Sequence, residues 1–425
     1  MGKPEDVDEG LFGLQSLGFT LGLDRVRAML AALGDPQRSF EVVLVGGTNG
    51  KGSCALALAS CLQAGGTAAA LFTSPHLSRL TERFRVDGVE VDRAQLEAVL
   101  ALVRPLAVDV QASFFEVLTV CACVLFANMR VHTAVMEVGL GGRFDATNAL
   151  EPRLSVITGI ALDHTALLGE DEVAIAREKA GIMRRDRLLL TGATGEALQA
   201  LKGEASRLGT PVWTLGEELT VAATDLGWDG LELEVNCPAG RAGGRSPLVG
   251  SHQARNLALA VGAALALGVE GEAVTRGLAA ARWPGRLERF AHEGRHVVFD
   301  GAHNPSAAEE LSATLEALGE RDYVLVVGVG RDKDLAGVAG PLGWGAGQVI
   351  ATQAQLNPRA RPAAEVAAAF GPDARAIESP HEALRAALEA TPEGGTLLVA
   401  GSLYLVGELR PLVSGEASER FERFQ

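Results

Sequence analysis

At 425 residues, 48% of them hydrophobic, the chain is longer than one hydrophobic core usually serves and predicts two globular domains. A net charge of -15 argues against a nucleic-acid partner, because the phosphate backbone is held by a basic face. Cys54, Cys61, Cys121, Cys123 and Cys237 have neither zinc spacing nor the pattern of a disulfide framework, which fits a reducing cytoplasmic home.

The acidic start, Met1 to Asp6, lacks a long apolar core, and later apolar stretches are broken by charges, so no targeting or membrane segment is expected. Leu21 to Val26 leads into a helix that Gly34-Asp35-Pro36 stops. Val42 to Val45 then reads as a buried parallel strand breaking into Gly46-Gly47-Thr48-Asn49-Gly50-Lys51-Gly52-Ser53. The glycines turn backbone N–H groups toward an anion, Lys51 adds a point charge, and Cys54 to Ala64 follows as a helix with its positive end on the same anion. Ser53 can offer a hydroxyl to Mg²⁺. The generic phosphate-loop pattern is not met strictly, since Val45 stands where its first glycine would be and Gly52 where its Ser/Thr would be.

Ala68 to Phe72 predicts the next strand, and Phe84 to Val89 a hairpin turning at Asp87-Gly88. Helices at Asp92 to Val103, Phe114 to Met129 and Glu172 to Met183 alternate with strands at Thr133 to Val138, Leu154 to Ile157 and Leu188 to Leu190. Such alternation marks a parallel sheet covered by helices. A small antiparallel excursion is expected near 211–235, turning at Asp229-Gly230 and ending in a loop from Pro238 to Pro247. Ser251 to Leu267 is a helix with His252 and Asn256 on one face. Trp283-Pro284-Gly285 reads as a linker. It divides a phosphate-loop domain, 1–284, from a smaller Rossmann-like α/β domain, 285–425. In the second domain, strands at Val297 to Phe299, Val324 to Val327, Val349 to Ala351 and Leu397 to Ala400 alternate with helices at Ser306 to Leu318, Ala363 to Phe370 and His381 to Leu388.

Ser74, Glu137 and His164 each fall just past a parallel strand, at the edge where open α/β sheets bind ligands. Glu137 with Ser53 or Ser74 suits the hard oxygen shell of Mg²⁺. His164 reads either as a ligand or as a hydrogen-bonded structural residue, and Asp163 as its support or as a helix start. Gly139 to Asp145 is glycine-rich enough to let the backbone approach a ligand. Asp300 and His303 stand at a strand edge in the second domain, where His303 and Ser402 are candidate substrate contacts. Arg286, beside the linker, either reaches the cleft or forms a linker salt bridge.

Taken together, these motifs resemble the folylpolyglutamate synthase and dihydrofolate synthase family of the Mur ligases. The resemblance runs over Gly47 to Ser53, Ser74-Pro75-His76-Leu77, Glu137 to Asn148, Asp163 to Gly169, Ile175 to Ile182, His252-Gln253 with Asn256, Gly285-Arg286 with Glu288, and Asp300 to Pro305. It implies a monomeric ATP-dependent ligase that joins L-glutamate to a folate or dihydropteroate through an acyl phosphate. By similarity Thr48, Asn49, Gly50, Lys51, Gly52 and Ser53 hold the phosphates, while Asn256, Arg286 and Asp300 hold ATP. Ser74 and Glu137 bind one Mg²⁺, and Glu137, His164 and a carbamylated Lys179 a second. Phe114, Phe115, Glu116, Phe144 and Asp145 match the family's pterin-side pocket. Asp171 departs from the family's frequent Thr, outside the assigned ligands. A Mur-type peptidoglycan ligase would want Gly-Lys-Thr at the loop and would lack Ser74 to Leu77. A P-loop nucleotide switch would need no second α/β domain facing its cradle.

Overall fold

The computed structural model describes residues 22–416, so the expectations for Met1 to Asp6 and for Leu21 lie outside the described residues. Helix α1 (Asp24–Ala32) ends at Leu33 and Gly34, and β1 (Glu41–Gly46) follows, buried along nearly its whole length. Helix α2 (Lys51–Ala64) starts directly from the glycine loop. Next come β2 (Ala69–Phe72), the hairpin β3 (Phe84–Val86) and β4 (Val89–Glu90), α3 (Arg93–Val110), α4 (Phe114–Asn128), β5 (Thr133–Glu137) and β6 (Pro152–Ile157). The short α5 (Thr165–Leu168) and α6 (Glu172–Lys179) lead to β7 (Leu188–Thr191), α7 (Gly195–Leu208) and β8 (Val212–Thr214).

These strands form one eight-stranded sheet in the order β4-β3-β2-β5-β1-β6-β7-β8, parallel except for the β3–β4 hairpin. β1 lies centrally between β5 and β6, in the register Val45↔Glu137 and Val45↔Val156. Because the chain leaves β1 toward β2 and returns later on the opposite side, the strand order reverses beside β1. That reversal opens a crevice at the C-terminal edge, where doubly wound sheets bind ligands.

Three antiparallel strands, β9 (Thr220–Asp225), β10 (Leu231–Cys237) and β11 (Gly240–Ser246), form a separate sheet before α8 (Ser251–Ala266) and α9 (Gly271–Ala280). The expected loop from Pro238 to Pro247 is therefore corrected to a strand. Its sequence, Gly240 to Ser246, has no β-branched residue. Pairing with β10 from Leu231↔Ser246 to Cys237↔Gly240 and packing against α9 impose the extended form. Val212 to Thr214 also leaves the expected excursion, since β8 pairs in parallel with β7 at the edge of the large sheet. The helix expected to run to Met183 stops at Lys179 and tightens into a 3₁₀ turn, Ala180–Ile182.

After the linker, β12 (Glu288–His292), β13 (Arg295–Phe299), α10 (Pro305–Ala317), β14 (Tyr323–Val327), α11 (Leu335–Gly343) and β15 (Ala346–Ala351) follow. The chain closes with α12 (Ala363–Phe370), β16 (Arg375–Ala376), α13 (Pro380–Ala390), β17 (Thr396–Ala400) and α14 (Leu403–Ser414). Their sheet order is β12-β13-β17-β14-β15-β16, with only β12 antiparallel. The fold is thus two α/β units, a phosphate-loop parallel sheet and a smaller Rossmann-like one. No helix among the described residues is long and apolar enough to cross a membrane.

Each large sheet carries apolar clusters on both faces. On one face of the first, β1 and α4 meet α1 and α3 around Leu44, Leu118 and Phe126, while the other face packs α2 against α8 and α9 around Val45, Leu58 and Leu257. Arg410 of α14 secures the linker: its Nε and Nη2 sit 2.7 Å from the two carboxylate oxygens of Glu288, whose Oε2 also accepts from Gly285 N at 2.8 Å. Arg410 is 5% exposed and the Glu288 side chain 22%, so removing the arginine leaves a partly buried carboxylate without its bidentate partner. Arg410→Ala is expected to lower stability by about 3 kcal/mol. Urea unfolding followed by tryptophan fluorescence measures this, and an unmoved midpoint would show the pair to be energetically idle.

Candidate active site

The phosphate loop is held from below by the next strand over. Thr48 N donates to Gly159 O at 2.8 Å, Thr48 Oγ1 to Ala161 O at 3.1 Å, and Thr158 Oγ1 to Asn49 O at 2.6 Å. Gly50 takes a left-handed φ of 80°, and a Cβ there would lie 2.1 Å from Asn256 Oδ1. Only glycine fits that contact. Asn256 is in turn positioned by Gln253, to whose Oε1 it donates at 3.1 Å.

Two ammonium groups converge on one backbone oxygen. Lys51 Nζ donates to Gly47 O at 3.2 Å and Thr48 O at 3.0 Å, and Lys179 Nζ donates to Gly47 O at 2.8 Å. Lys179 reaches this point because Gly142 admits the end of α6: a Cβ on Gly142 would stand 2.8 Å from Glu178 O and from Lys179 Cα. Lys179 is 4% exposed. Burial first, and then the Lys51 charge, pull it from the ordinary lysine value of 10.5 down to about 7.

Glu137, at the end of β5, is buried and accepts from Ser74 N at 2.9 Å. Burial raises its pKa, opposed by Lys51, the Ser74 N–H and Arg286. A carboxylate so desolvated, with the hydroxyl-bearing Ser53 and Ser74 lining the same cavity, is a donor set that fits a hard divalent cation. His164 begins α5 at φ 49°. Its pKa is lowered by burial and then by Lys333, which leaves a neutral imidazole with a lone pair to offer.

The second domain completes this edge. Asn304 Nδ2 donates to Asn49 Oδ1 at 3.0 Å and to Asp163 Oδ2 at 3.1 Å, and Lys333 Nζ lies 2.9 Å from Asp163 Oδ1 and 3.5 Å from His164 Nε2. Burial alone would raise the Asp163 pKa, but Lys333, His164 and His303 hold it well below the usual carboxylate range. His303, with Nδ1 2.7 Å from Gly301 O, is pushed down to about 4 by burial and then by Lys333. Asp300 accepts from Leu287 N at 2.9 Å and Ala302 N at 2.7 Å, fixing the linker's exit. Arg286 lies against Gly301, with Nη1 3.0 Å from Gly285 O. No ion pair engages it among the described residues, so the linker salt bridge does not describe it.

Residues 48–53, Ser74, Glu137, His164, Lys179, Asn256, Arg286, Asp300 and His303 therefore line one cavity of about 500 Å³ between the domains. Among the described residues no three His, Cys, Asp or Glu side chains converge, so a metal here relies on hydroxyls, on Lys179 and on ligand oxygens. The expected pterin-side residues do not line this cavity. Phe115 stacks on Phe72 with centroids 5.8 Å apart, and the Arg83 guanidinium stands 5.7 Å over the Phe114 ring. Glu116 pairs with Arg25 at 2.9 Å and caps its own helix through Ser113 N at 2.6 Å. Asp145 accepts from Leu140 N and Thr147, and Phe144 is 41% exposed. Ser402 caps α14 and lines a neighbouring 40 Å³ pocket with His303, Lys333 and Arg359.

Sequence reasoning missed Lys333. Its signal was present, because Gly330-Arg331-Asp332-Lys333-Asp334 follows β14 as the Asp300 segment follows β13.

Residues 45–264 match the Mur ligase middle domain and residues 285–403 the Mur ligase glutamate ligase domain. A dihydrofolate synthase/folylpolyglutamate synthase of Escherichia coli K12 is 36% identical over 96% of this chain and 95% of its own length. A probable bifunctional folylpolyglutamate synthase/dihydropteroate synthase of Haloferax volcanii is 36% identical over 94% of the chain, which spans 49% of that protein. The Mycobacterium tuberculosis folylpolyglutamate synthase complexed with ADP and AMPPCP superposes with a TM-score of 0.91 at 32% identity, covering 98% of this chain and 100% of that one. A Yersinia pestis bifunctional folylpolyglutamate synthase/dihydrofolate synthase complexed with AMPPNP and Mn superposes at 0.85, with 31% identity over 95% and 96% of the two chains.

The pKa of Lys179 has a consequence for stability. Between about 7 and 10.5 the unfolded chain carries a proton on Lys179 that the folded chain lacks, so stability rises with pH across that window and the full burial penalty remains below it. Urea midpoints in CO₂-free buffer are expected to climb from pH 7 to 10 in the wild type relative to Lys179→Met. Parallel profiles for the two proteins would show the amine to be unperturbed.

Proposed function

The chain belongs to the folylpolyglutamate synthase/dihydrofolate synthase family of the Mur ligases and is an ATP-dependent ligase, and from that premise we propose that it joins L-glutamate to a folate or dihydropteroate carboxylate through an acyl phosphate. The observation that carries this reading is the convergence of Lys51, Glu137, His164, Lys179, Arg286 and Asp300, from two domains, on one cavity. Residues 1–284 serve as the nucleotide-binding half and 285–425 as the half that closes over the acceptor.

In the reaction the substrate carboxylate attacks the γ-phosphorus, ADP leaves, and the amine of glutamate displaces phosphate from the acyl phosphate. Phosphoryl transfer needs positioning and charge neutralisation more than covalent help. Lys51, now folded onto Gly47 O and Thr48 O, swings to the phosphates, and the loop's N–H groups meet the same anion. Arg286 adds a fixed guanidinium from the second domain. Mg²⁺ supplies further neutralisation of the transferring group. Ser53, Ser74 and Glu137 are suited to hold one ion, and Glu137, His164 and Lys179 a second. The domain contact from Asn304 and Lys333 to Asp163 keeps water from the acyl phosphate.

Lys179 is the finer part of the proposal. With a pKa of about 7 it is neutral often enough to attack CO₂, and the carbamate it forms replaces a repelling ammonium with an oxygen ligand. Lys179→Ala is expected to lose most activity, and a small carboxylate added to the assay to restore part of it. Full activity without additive would remove the carbamate. Lys51→Ala is expected to lower kcat for ADP release by at least about two decades with the fold intact, and a change within threefold would place ATP elsewhere. The substrate class is tested by ADP release with dihydropteroate, tetrahydrofolate and a Mur precursor offered in parallel. Turnover with the Mur precursor alone would overturn the reading.

A further inference from the structure

Gly52, one residue into α2, stands where the generic phosphate loop carries Ser or Thr. Its backbone does not ask for glycine, because it lies inside the helix with φ outside the left-handed region, and alanine is the better helix former. The demand comes from a neighbour. A Cβ on Gly52 would lie 2.8 Å from Trp283 Cζ2 and 3.0 Å from its Cε2 and Nε1, closer than a methyl group can approach a ring.

Trp283 is brought there by the packing of α9 on α2. Gly277 lets the two helices touch, since a Cβ on it would stand 2.5 Å from Cys61 Cα, and Arg276 Nη2 donates to Ala64 O, at the far end of α2, at 3.1 Å. From these contacts the chain runs antiparallel to α2, and the about 14 Å from Cys61 back to Gly52 ends at Trp283. Pro284, Gly285 and Arg286 follow at once. The indole thus stands on the first turn of the phosphate-loop helix just before the chain crosses to the second domain. Arg85 of β3 holds its guanidinium 5.8 Å from the ring centroid, and its Nε, closed off from solvent, has no hydrogen-bond partner. A cation therefore fixes the half-buried ring, together with the apolar cluster it packs against.

Lys51, Gly52 and Ser53 line the cavity, whereas Trp283 does not. Any effect of the ring on bound phosphate passes through Gly52. We propose that Trp283 is a positioning residue for the phosphate loop: its indole sets the first turn of α2, and with it Lys51 and Ser53, against the linker, so that nucleotide on the loop and the course of the chain into Arg286 are coupled. The inference rests on the ATP reading above. A tryptophan that only filled the core would lose stability on substitution without changing how a Cβ is received at position 52.

The test is calorimetric titration with ADP of the whole chain, of Gly52→Ala, of Trp283→Phe and of the double variant, with circular dichroism checking each fold. Gly52→Ala is expected to weaken ADP about tenfold, toward the low end of what an overpacked contact costs. In the Trp283→Phe background, where the ring is smaller, Gly52→Ala is expected to cost under about threefold, a coupling that residues in contact show and distant ones do not. Tryptophan emission gives a second reading. The change that ADP produces in wild type is expected to be lost in Trp283→Phe and kept in Trp344→Phe, whose ring is exposed on the second domain. Should Gly52→Ala misfold, recovery of its fold by Trp283→Phe, taken with the emission change, decides the matter. A Gly52→Ala penalty that is equal in both backgrounds or missing from the first, or an emission change that is missing from wild type or survives Trp283→Phe, would overturn this inference alone. A wild type that binds no ADP would overturn the ATP reading and this inference with it.

Discussion

Two ammonium groups cannot both stay charged on one buried carbonyl without an anion nearby. Lys51 and Lys179 meet at Gly47 O, and the architecture around them answers that constraint. Burial and the neighbouring Lys51 charge draw the proton off Lys179, while Lys51 stays on Gly47 O and Thr48 O. The arrangement depends on β1 lying between β5 and β6, which sets the loop beside both Glu137 and the segment carrying His164. It depends also on the missing Cβ of Gly142, which lets the end of α6 deliver Lys179 from a helix otherwise too far away. Binding site and folding constraint here are the same few atoms.

The second domain completes this edge from the other side. Asn304 and Lys333 reach across to Asp163, Arg286 lies against Gly301, and Asp300 fixes the chain as it leaves the linker. Behind the linker, Arg410 and Glu288 hold the junction through a partly buried ion pair that also engages Gly285 N. A cleft assembled this way positions its charges by domain packing, because polar partners come from both sides of it.

Much of this was legible in residue order because valine and leucine runs announce buried parallel strands, and glycine, proline and asparagine announce the turns at their ends. The phosphate loop, Glu137, His164 and Asp300 all came from one rule about strand ends. What escaped was set by tertiary contact. β11 is glycine and arginine in composition and becomes a strand only because β10 pairs with it and α9 covers it. Helices α7 and α9 also went unread, although each carries a buried stripe, Ala197, Leu198, Leu201 and Ala205 in the one and Ala273, Val274, Gly277 and Leu278 in the other. Glu116 is held by Arg25, a partner 91 residues away that no local pattern links to it. Lys333 lies 170 residues from Asp163, and nothing short of the folded chain brings them together.

That last contact makes Asp163 an internal reporter. Its carboxyl stays ionised to unusually low pH largely because a lysine from the other half of the molecule sits on it. If the halves part, Lys333 and Asn304 depart together and the acid constant drifts back toward that of an ordinary aspartate. Domain separation and proton uptake are then one thermodynamic event, so acid favours the parted form and the docked form resists acid. The seam between the domains can therefore be followed by titrating a single oxygen pair in the first of them.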